Sequence, residues 1–379
     1  MKKIVILGID TDLRYKIEHW LNENYEIIGY SDLSDKYTNC TTFAYKKYYK
    51  IHELFVRQNE IDYIIVCETN YKRWYEINNE LTFSGIDEKK ILPTLVFAHP
   101  ERAFVSPYND FLRINKRFSS LLFGMSYSRS GFMPHFLKDS WFKFSIGGGD
   151  LHTYDLWLSN LVINHFDLLS NVKQIALELP YYIFNWDIQC SNQIYTRMLY
   201  FDEFNDYGGF LVKKEDAWQY ILKYRALKNI FSARYEQCEG VFTNHVYDVR
   251  ELNTFIKNKS KEYFIADKIW MKSHKETEMV NISRLDHILQ ICNKFNFNTT
   301  IIIYPMSPCF ILNNVEIIER NRSYFYSALE KLGYSGKVID FMDLNKEKDL
   351  FTDKDFRDLT HLNTNGGNKC SIILNQLIE

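Results

Sequence analysis

The chain is short of the features that usually announce a function. Its seven cysteines are scattered over 379 residues and form no C-x-x-C pair. That spacing offers neither a zinc site nor a disulfide framework, and a reducing compartment is the simpler setting. Glycine is sparse where a dinucleotide would need it. The first strand, KIVILG, turns through Gly8-Ile9-Asp10-Thr11-Asp12. Gly8 is the lone glycine there, and Asp10 and Asp12 would repel a pyrophosphate, so no NAD site is expected. There is no excess of charge of either sign. A net charge of −2 leaves no broad footprint for nucleic acid or an anionic membrane. No run approaches the ~18 apolar residues of a spanning helix. The apolar run at the start, Ile4 to Leu7, is too short for a secretory signal and is followed closely by Asp10 and Asp12. The reading is a cytoplasmic protein with no membrane span, no nucleic-acid partner and no metal.

What the chain does have is α/β alternation, twice. At 379 residues it suits two domains rather than one core. Short apolar strands are predicted at Lys3–Gly8, Glu26–Tyr30, Ile61–Thr69 and Lys89–Pro93, with helices between them, the first capped by Asp10 or Thr11. This pattern implies a Rossmann-like parallel sheet over residues 1–97. Residues 98–115 lack a clean period, contain Pro100 and Pro107, and read as a linker. Alternation restarts over 116–379. Strands are predicted at Phe118–Gly124, Ser140–Gly149, Val172–Tyr182, Thr299–Pro308 and Lys337–Leu344. Helices are predicted at His152–Phe166, Ile282–Phe295 and Val315–Leu332, and another after Gly367. Residues from about 185 to 275 are aromatic and irregular, with one helix expected at Glu215–Ile230. They read as an insertion able to flank or lid a site.

Chemistry concentrates at the C-terminal end, in FRDLTHLNTNGG. Asp358 precedes His361 by three residues. A carboxylate so placed can fix the imidazole tautomer and stabilise the imidazolium, leaving the other ring nitrogen as general base. The competing reading is a solvated loop. A matching partner lies far upstream in GMSYSRSG, where Ser126 follows a buried strand. Ligands of open α/β sheets bind at the carboxyl ends of strands. A serine there can present its hydroxyl to a cleft, while backbone N–H groups at the turn stabilise an oxyanion. Its alternative is a helix-capping or turn serine.

The order strand, G-x-S-x-x-x-x-G, a second strand ending in Gly147-Gly148-Gly149, then a terminal D-x-x-H-L-N-x-x-G before a last helix resembles the SGNH/GDSL hydrolase superfamily. The resemblance covers roughly Asn115 to Glu379 and implies a flavodoxin-like parallel sheet. It implies Ser126 as nucleophile, His361 as general base and Asp358 as its orienting acid. It also implies an oxyanion hole from the N–H groups of Ser126 and Gly148. Two departures stand out. The first block reads Gly-Met-Ser instead of G-D-S. The third block's G-x-N-D is absent, and LELPYYIFNWD leaves Asn185 as the candidate donor. Arg129, near Ser126, is a candidate for holding an anionic substrate group. The N-terminal half resembles the small Rossmann-like domains of sugar-modifying proteins from bacterial surface-polysaccharide gene clusters.

The expected function is therefore a serine-dependent esterase or O-acyltransferase acting on a bacterial surface glycan or its precursor. The substrate is a carbohydrate or acyl ester. No bound cofactor is expected, with acyl-CoA as co-substrate in the transferase branch. The alternative is a catalytically degraded binding or assembly protein of polysaccharide biosynthesis. A Rossmann-domain oxidoreductase is the weakest reading, for want of the glycine fingerprint. Asp32 reads as a surface-turn residue, His287 as structural, and Asp150 to Thr153 as a helix cap. Asp150, His152 and Asp155 make no metal set with another cluster.

Overall fold

The computed structural model describes residues 1–9, 12–34, 37, 39–68, 71–94, 107–114, 117–187, 222–223, 225–227, 229–230, 251–252 and 275–378. The expected cap at Asp10 or Thr11, most of the insertion, and most of the Glu215–Ile230 helix lie outside these residues. The chain forms two compact units, Met1–Ser106 with Asn192–Val241, and Pro107–Ser191 with Phe242–Glu379.

The first unit holds a six-stranded sheet: β1 (Lys2–Leu7), β2 (Tyr25–Ser31), β3 (Thr42–Phe43), β4 (Lys46–Tyr48), β5 (Tyr63–Val66) and β6 (Ile91–Pro93), in the order β3-β4-β2-β1-β5-β6. Strand β1 is apolar on both faces because both are covered. Ile4 and Ile6 enter one core with Leu13 and Ile17 of helix α1 (Asp12–Trp20). Val5 and Leu7 enter another with Leu54 of α2 (Ile51–Val56) and Trp74, Ile77 and Leu81 of α3 (Tyr71–Phe83). A two-residue side-chain period with helices on both faces is what makes the strand a continuous hydrophobic run.

This sheet is mixed, which corrects the expectation of a parallel one. β3 runs antiparallel to β4, while the other pairs are parallel. The reversal is a two-residue hairpin at Ala44 and Tyr45, with φ of 49° and 63°. Positive φ at both central residues makes the reversal whose twist suits antiparallel strands. Asp32 follows β2 and is engaged locally: Oδ2 accepts the Ile9 N–H at 3.0 Å and Oδ1 the Ser34 N–H at 2.7 Å.

The second unit holds an all-parallel sheet of β7 (Ser120–Gly124), β8 (Trp141–Ser145), β9 (Gln174–Glu178), β10 (Asn298–Ile303) and β11 (Lys337–Asp340). Their order is β11-β10-β9-β7-β8. The chain winds outward from β7 to β8, then crosses back to β9 and outward again. The winding therefore switches direction between β7 and β9, where two neighbouring crossovers leave a crevice beyond the carboxyl ends of the strands. The helices are α4 (Pro107–Arg113), α5 (Ser126–Gly131), α6 (Leu151–Asn164), α7 (Lys275–Lys294), α8 (Pro308–Leu312), α9 (Val315–Lys331), α10 (Phe341–Lys348) and α11 (Thr364–Leu377).

Aromatic packing fills one part of this core. Phe123 and Phe144 stack at 4.8 Å between ring centroids, and Phe111 meets Phe142 edge-on at 4.9 Å. Several elements differ from the sequence expectation: helix α4 falls in the stretch read as a linker, and the strands expected to reach Gly149, Tyr182 and Pro308 end at Ser145, Glu178 and Ile303. The segment after Ile339 leaves the sheet at Asp340, whose Oδ1 accepts the N–H groups of Met342 and Asp343 and so starts a helix. The following Phe341-Met342-Asp343-Leu344 is helical rather than strand. Helix α7 begins at Lys275 rather than Ile282. Among the described residues, no helix is long and apolar enough to cross a membrane.

Candidate active site

Strand β7 is buried throughout and delivers the chain to the crevice at Gly124. Met125 precedes α5, and Ser126 is the first helical residue. Gly124 leaves the space that two side chains occupy. A Cβ there would lie 2.0 Å from Ser128 Oγ and 2.7 Å from Glu178 Oε2.

The histidine comes from a loop shaped by its own residues. Asp358 Oδ1 accepts the N–H groups of Thr360 and His361 at 3.0 and 2.8 Å, a side-chain-closed turn. Phe356 and Leu362 close the loop as an isolated antiparallel bridge, and the Arg357 N–H reaches the His361 carbonyl at 3.0 Å. Asn363 then caps α11. Its Oδ1 accepts the Gly366 N–H, and its Nδ2 donates to the Lys354 carbonyl. The two glycines that follow let this helix seat. A Cβ on Gly366 would stand 2.1 Å from the Asp355 carbonyl oxygen, and one on Gly367 2.1 Å from that of Ser130 in α5. The helix after the histidine thus packs directly on the helix that begins with Ser126.

The result is a continuous hydrogen-bond chain. Ser126 Oγ lies 2.7 Å from His361 Nε2. His361 Nδ1 lies 2.9 and 3.0 Å from the two Asp358 carboxylate oxygens. With Asp358 accepting from Nδ1–H, Nε2 is left as the acceptor for the serine hydroxyl. Burial alone would push the Asp358 carboxyl up. The hydrogen bond and charge of His361, with the two loop N–H groups, outweigh it and hold the carboxyl at about 2. Asp358 is therefore a carboxylate at neutral pH, able to stabilise a proton on the imidazole. The histidine and aspartate side chains are 22% and 32% exposed, so the centre faces solvent. The Tyr127 ring covers part of the imidazole at 5.1 Å between centroids, and its hydroxyl is 2.7 Å from that of Tyr182.

The candidate oxyanion donors belong to two turns beside α5. Gly148 has φ of 74°, a conformation that suits glycine. A Cβ on neighbouring Gly149 would fall 3.4 Å from the Met125 Cα, so this turn lies against the residue before Ser126. Asn185 sits in a short 3-10 turn, Ile183–Asn185, after β9. Trp186 Nε1 ties the two turns together, donating to the carbonyls of Gly148 and Gly149 at 3.1 Å each. Buried Asn281 in α7 anchors the second turn through Nδ2, which donates to the carbonyls of Phe184 and Trp186 at 3.0 and 2.9 Å. Asn185 is itself buried, and its Oδ1 has no hydrogen-bond partner among the described residues. Arg129 lies on α5 three residues after Ser126, on the same side of the helix, and is half-buried.

The other residues singled out in the sequence have local roles. Asp150 caps α6 by accepting from the Thr153 N–H and hydroxyl. Asp155 pairs with His287 Nδ1 at 2.7 Å, joining α6 to α7. No group of three or more metal-ligating side chains occurs among the described residues.

Two charged residues beside Ser126 were missed, Lys143 in β8 and Glu178 in β9, which are 2% and 0% exposed. The signal is in the sequence: each is the one charged residue of a short, largely apolar strand, WFKFS and QIALE. Burial lowers Lys143 to about 8, against the opposing pull of Glu178. Burial raises Glu178 to about 7, with the groups donated by Ser128 and the Met125 N–H acting the other way.

A scan against protein-family models gives no match for this chain, and neither does a comparison with curated proteins.

Proposed function

We propose that the second unit is a serine-dependent esterase or O-acyltransferase of the SGNH type, acting on an ester-linked acyl group of a bacterial glycan or its precursor in the cytoplasm. The observation that carries this reading is the unbroken chain Ser126–His361–Asp358, 2.7 and 2.9 Å per link. It lies where the strand winding switches direction, and the strand order is that of a flavodoxin-like sheet. In the reaction, Ser126 Oγ attacks the acyl carbonyl carbon while His361 Nε2 takes the hydroxyl proton. Asp358 stabilises the resulting imidazolium. The oxyanion of the tetrahedral intermediate is received by the N–H groups of Ser126 and Gly148, with the Asn185 side-chain amide in place of the missing third-block donor. The bond from the acyl carbon to the leaving group then breaks, His361 returns its proton to the departing oxygen of an ester or sulfur of acyl-CoA, and an acyl-serine remains. Water then completes an esterase cycle, or a sugar hydroxyl completes a transferase cycle drawing its acyl group from acyl-CoA. Arg129 is assigned to an anionic group of the substrate. The first unit is assigned a Rossmann-like fold and a docking or nucleotide-sugar role, without NAD.

The direct test is labelling with a fluorophosphonate. Wild type should label on one serine, and Ser126→Ala should abolish the signal. If wild type fails to label, the chain is better described as a binding or assembly protein that keeps the hydrolase scaffold.

A further inference from the structure

The helix that begins with Ser126 is only six residues long and has too few internal hydrogen bonds to hold itself. Its ends are satisfied from elsewhere. At the N-terminal end, Glu178 Oε2 accepts the backbone N–H groups of Met125 and Ser128, each at 2.8 Å. At the C-terminal end, Lys143 Nζ donates to the carbonyls of Arg129 and Phe132 at 3.2 and 3.1 Å. The two side chains rise from the strands on either side of β7: Lys143 from β8, Glu178 from β9.

We propose that Lys143 and Glu178 form a two-ended charge clamp that fixes the Ser126 helix on the sheet and so sets the reach of the Ser126 hydroxyl to His361. Both are positioning residues, since neither touches the reacting atoms.

Three features support the clamp. First, each charge has the sign that suits the end it occupies: acceptor and anion at the free N–H groups, donor and cation at the free carbonyls. Second, each is almost completely buried, a placement costly enough to need a specific return. Third, the local sequence is shaped around it. Gly124 leaves the gap into which the Glu178 carboxylate fits, and Ser128 Oγ is held at 2.7 Å from Ser145 Oγ. The titratable groups facing Glu178 are Lys143 from β8, Tyr127 from α5, Tyr154 from α6, Tyr182 after β9 and Tyr304 after β10. Burial holds all four tyrosines neutral well past neutrality, which leaves Glu178 and Lys143 as the pair that changes charge near it.

The clamp rests on the reading of Ser126 as nucleophile, so its test uses two independent readouts in the full chain. The first is backbone amide exchange at Met125 and Ser128, which requires no catalysis. These amides should be protected in wild type. Glu178→Ala should expose both, and Glu178→Gln, which keeps an acceptor oxygen, should retain protection. The second is kinetics on an activated ester. Glu178→Ala and Lys143→Met should lower kcat by about 10- to 100-fold, the scale of an ångström-level misplacement, with KM little moved. Glu178→Gln should lose less than Glu178→Ala and should remove from the pH–rate profile an ionisation near the wild-type Glu178 value of about 7. Unchanged exchange at Met125 and Ser128 in Glu178→Ala overturns the clamp. So does a fall in kcat matched by an equal rise in KM. If Glu178→Ala does not fold, the Glu178→Gln exchange and pH profile decide alone. If wild type never labels with fluorophosphonate, the nucleophile reading fails while the exchange result still stands or falls by itself.

Discussion

Gly367 sits so close to Ser130 that a single added methyl carbon would come within 2.1 Å of the Ser130 carbonyl oxygen. The contact joins the helix following His361 to the helix that carries Ser126. Gly367→Ala should therefore act on the centre without touching it. The two helices must separate, destabilising the protein by roughly 1–3 kcal/mol as an overpacked contact does. Turnover of an activated ester should fall as Ser126 and His361 move apart. Gly366→Ala, which meets the Asp355 carbonyl at the same distance, should do likewise. Thermal unfolding with parallel rate measurements checks both, and wild-type values for either variant contradict the packing argument.

Wild-type protein should hydrolyse p-nitrophenyl acetate, if slowly, because an activated leaving group asks little of the oxyanion hole. Ser126→Ala and His361→Ala should each remove nearly all turnover, since nucleophile and base act as a unit. Asp358→Asn should lose less, because Thr360 Oγ1 also contacts His361 Nδ1, at 3.2 Å. A Ser126→Ala variant that keeps the wild-type rate would show the hydrolysis to be adventitious.

Turnover needs the neutral imidazole, because only that form accepts the Ser126 hydroxyl proton. Asp358 should contribute no step of its own above about pH 3. Its carboxyl is held down to about 2, so its stabilising contacts are complete above the ordinary carboxylate value of 3.8 and are lost as pH falls through 2. A profile from pH 4 to 9 with Asp358→Asn as reference measures this.

Glu178 should impose the opposite trend on stability. Its carboxyl is raised from 4.5 to about 7, so the folded state holds the proton more tightly. Its favourable contribution is complete below 4.5 and is lost as pH rises through 7. Lys143, lowered from 10.5 to about 8, contributes fully above 10.5 and loses that contribution as pH falls through 8. Melting temperatures between pH 5 and 7 should decline less in Glu178→Gln than in wild type. An identical decline in both would remove Glu178 as the source.

NAD(H) should give no thermal shift. The turn after β1 has no glycine fingerprint. The acidic residue after β2, Asp32, already accepts from the Ile9 and Ser34 N–H groups. Micromolar binding in a titration would contradict this.

Much of this arrangement was legible from residue order, and the illegible parts share a cause. Buried parallel strands announce themselves as continuous apolar runs, so β1, β5, β7 and β10 stand out. The Asp358-to-His361 spacing is local, and a turn that closes on its own side chain can be read locally. The hairpin at Ala44 and Tyr45 could not be read this way. Neither residue is the glycine or asparagine that favours positive φ, and the pairing of β3 with β4 overrides their preference. The segment after Ile339 was ambiguous because a short apolar run fits strand or helix alike, and the Asp340 cap decides it. Lys143 and Glu178 stand out as single charges in buried strands, but the backbone groups that they and Asn281 hold lie on other elements, which no spacing rule displays.

Ser126 and His361 touch across 235 positions of the chain. On the proposed reading, the nucleophile leaves the ribosome well before the base that would activate it. At ribosomal speeds the interval is on the order of tens of seconds. On that reading, an acyl donor meeting the nascent chain in that interval would find no competent centre. Onset of ester turnover during refolding of the full chain would time the docking of the histidine loop on the Ser126 helix, a long-range closure that helix and strand signals do not report.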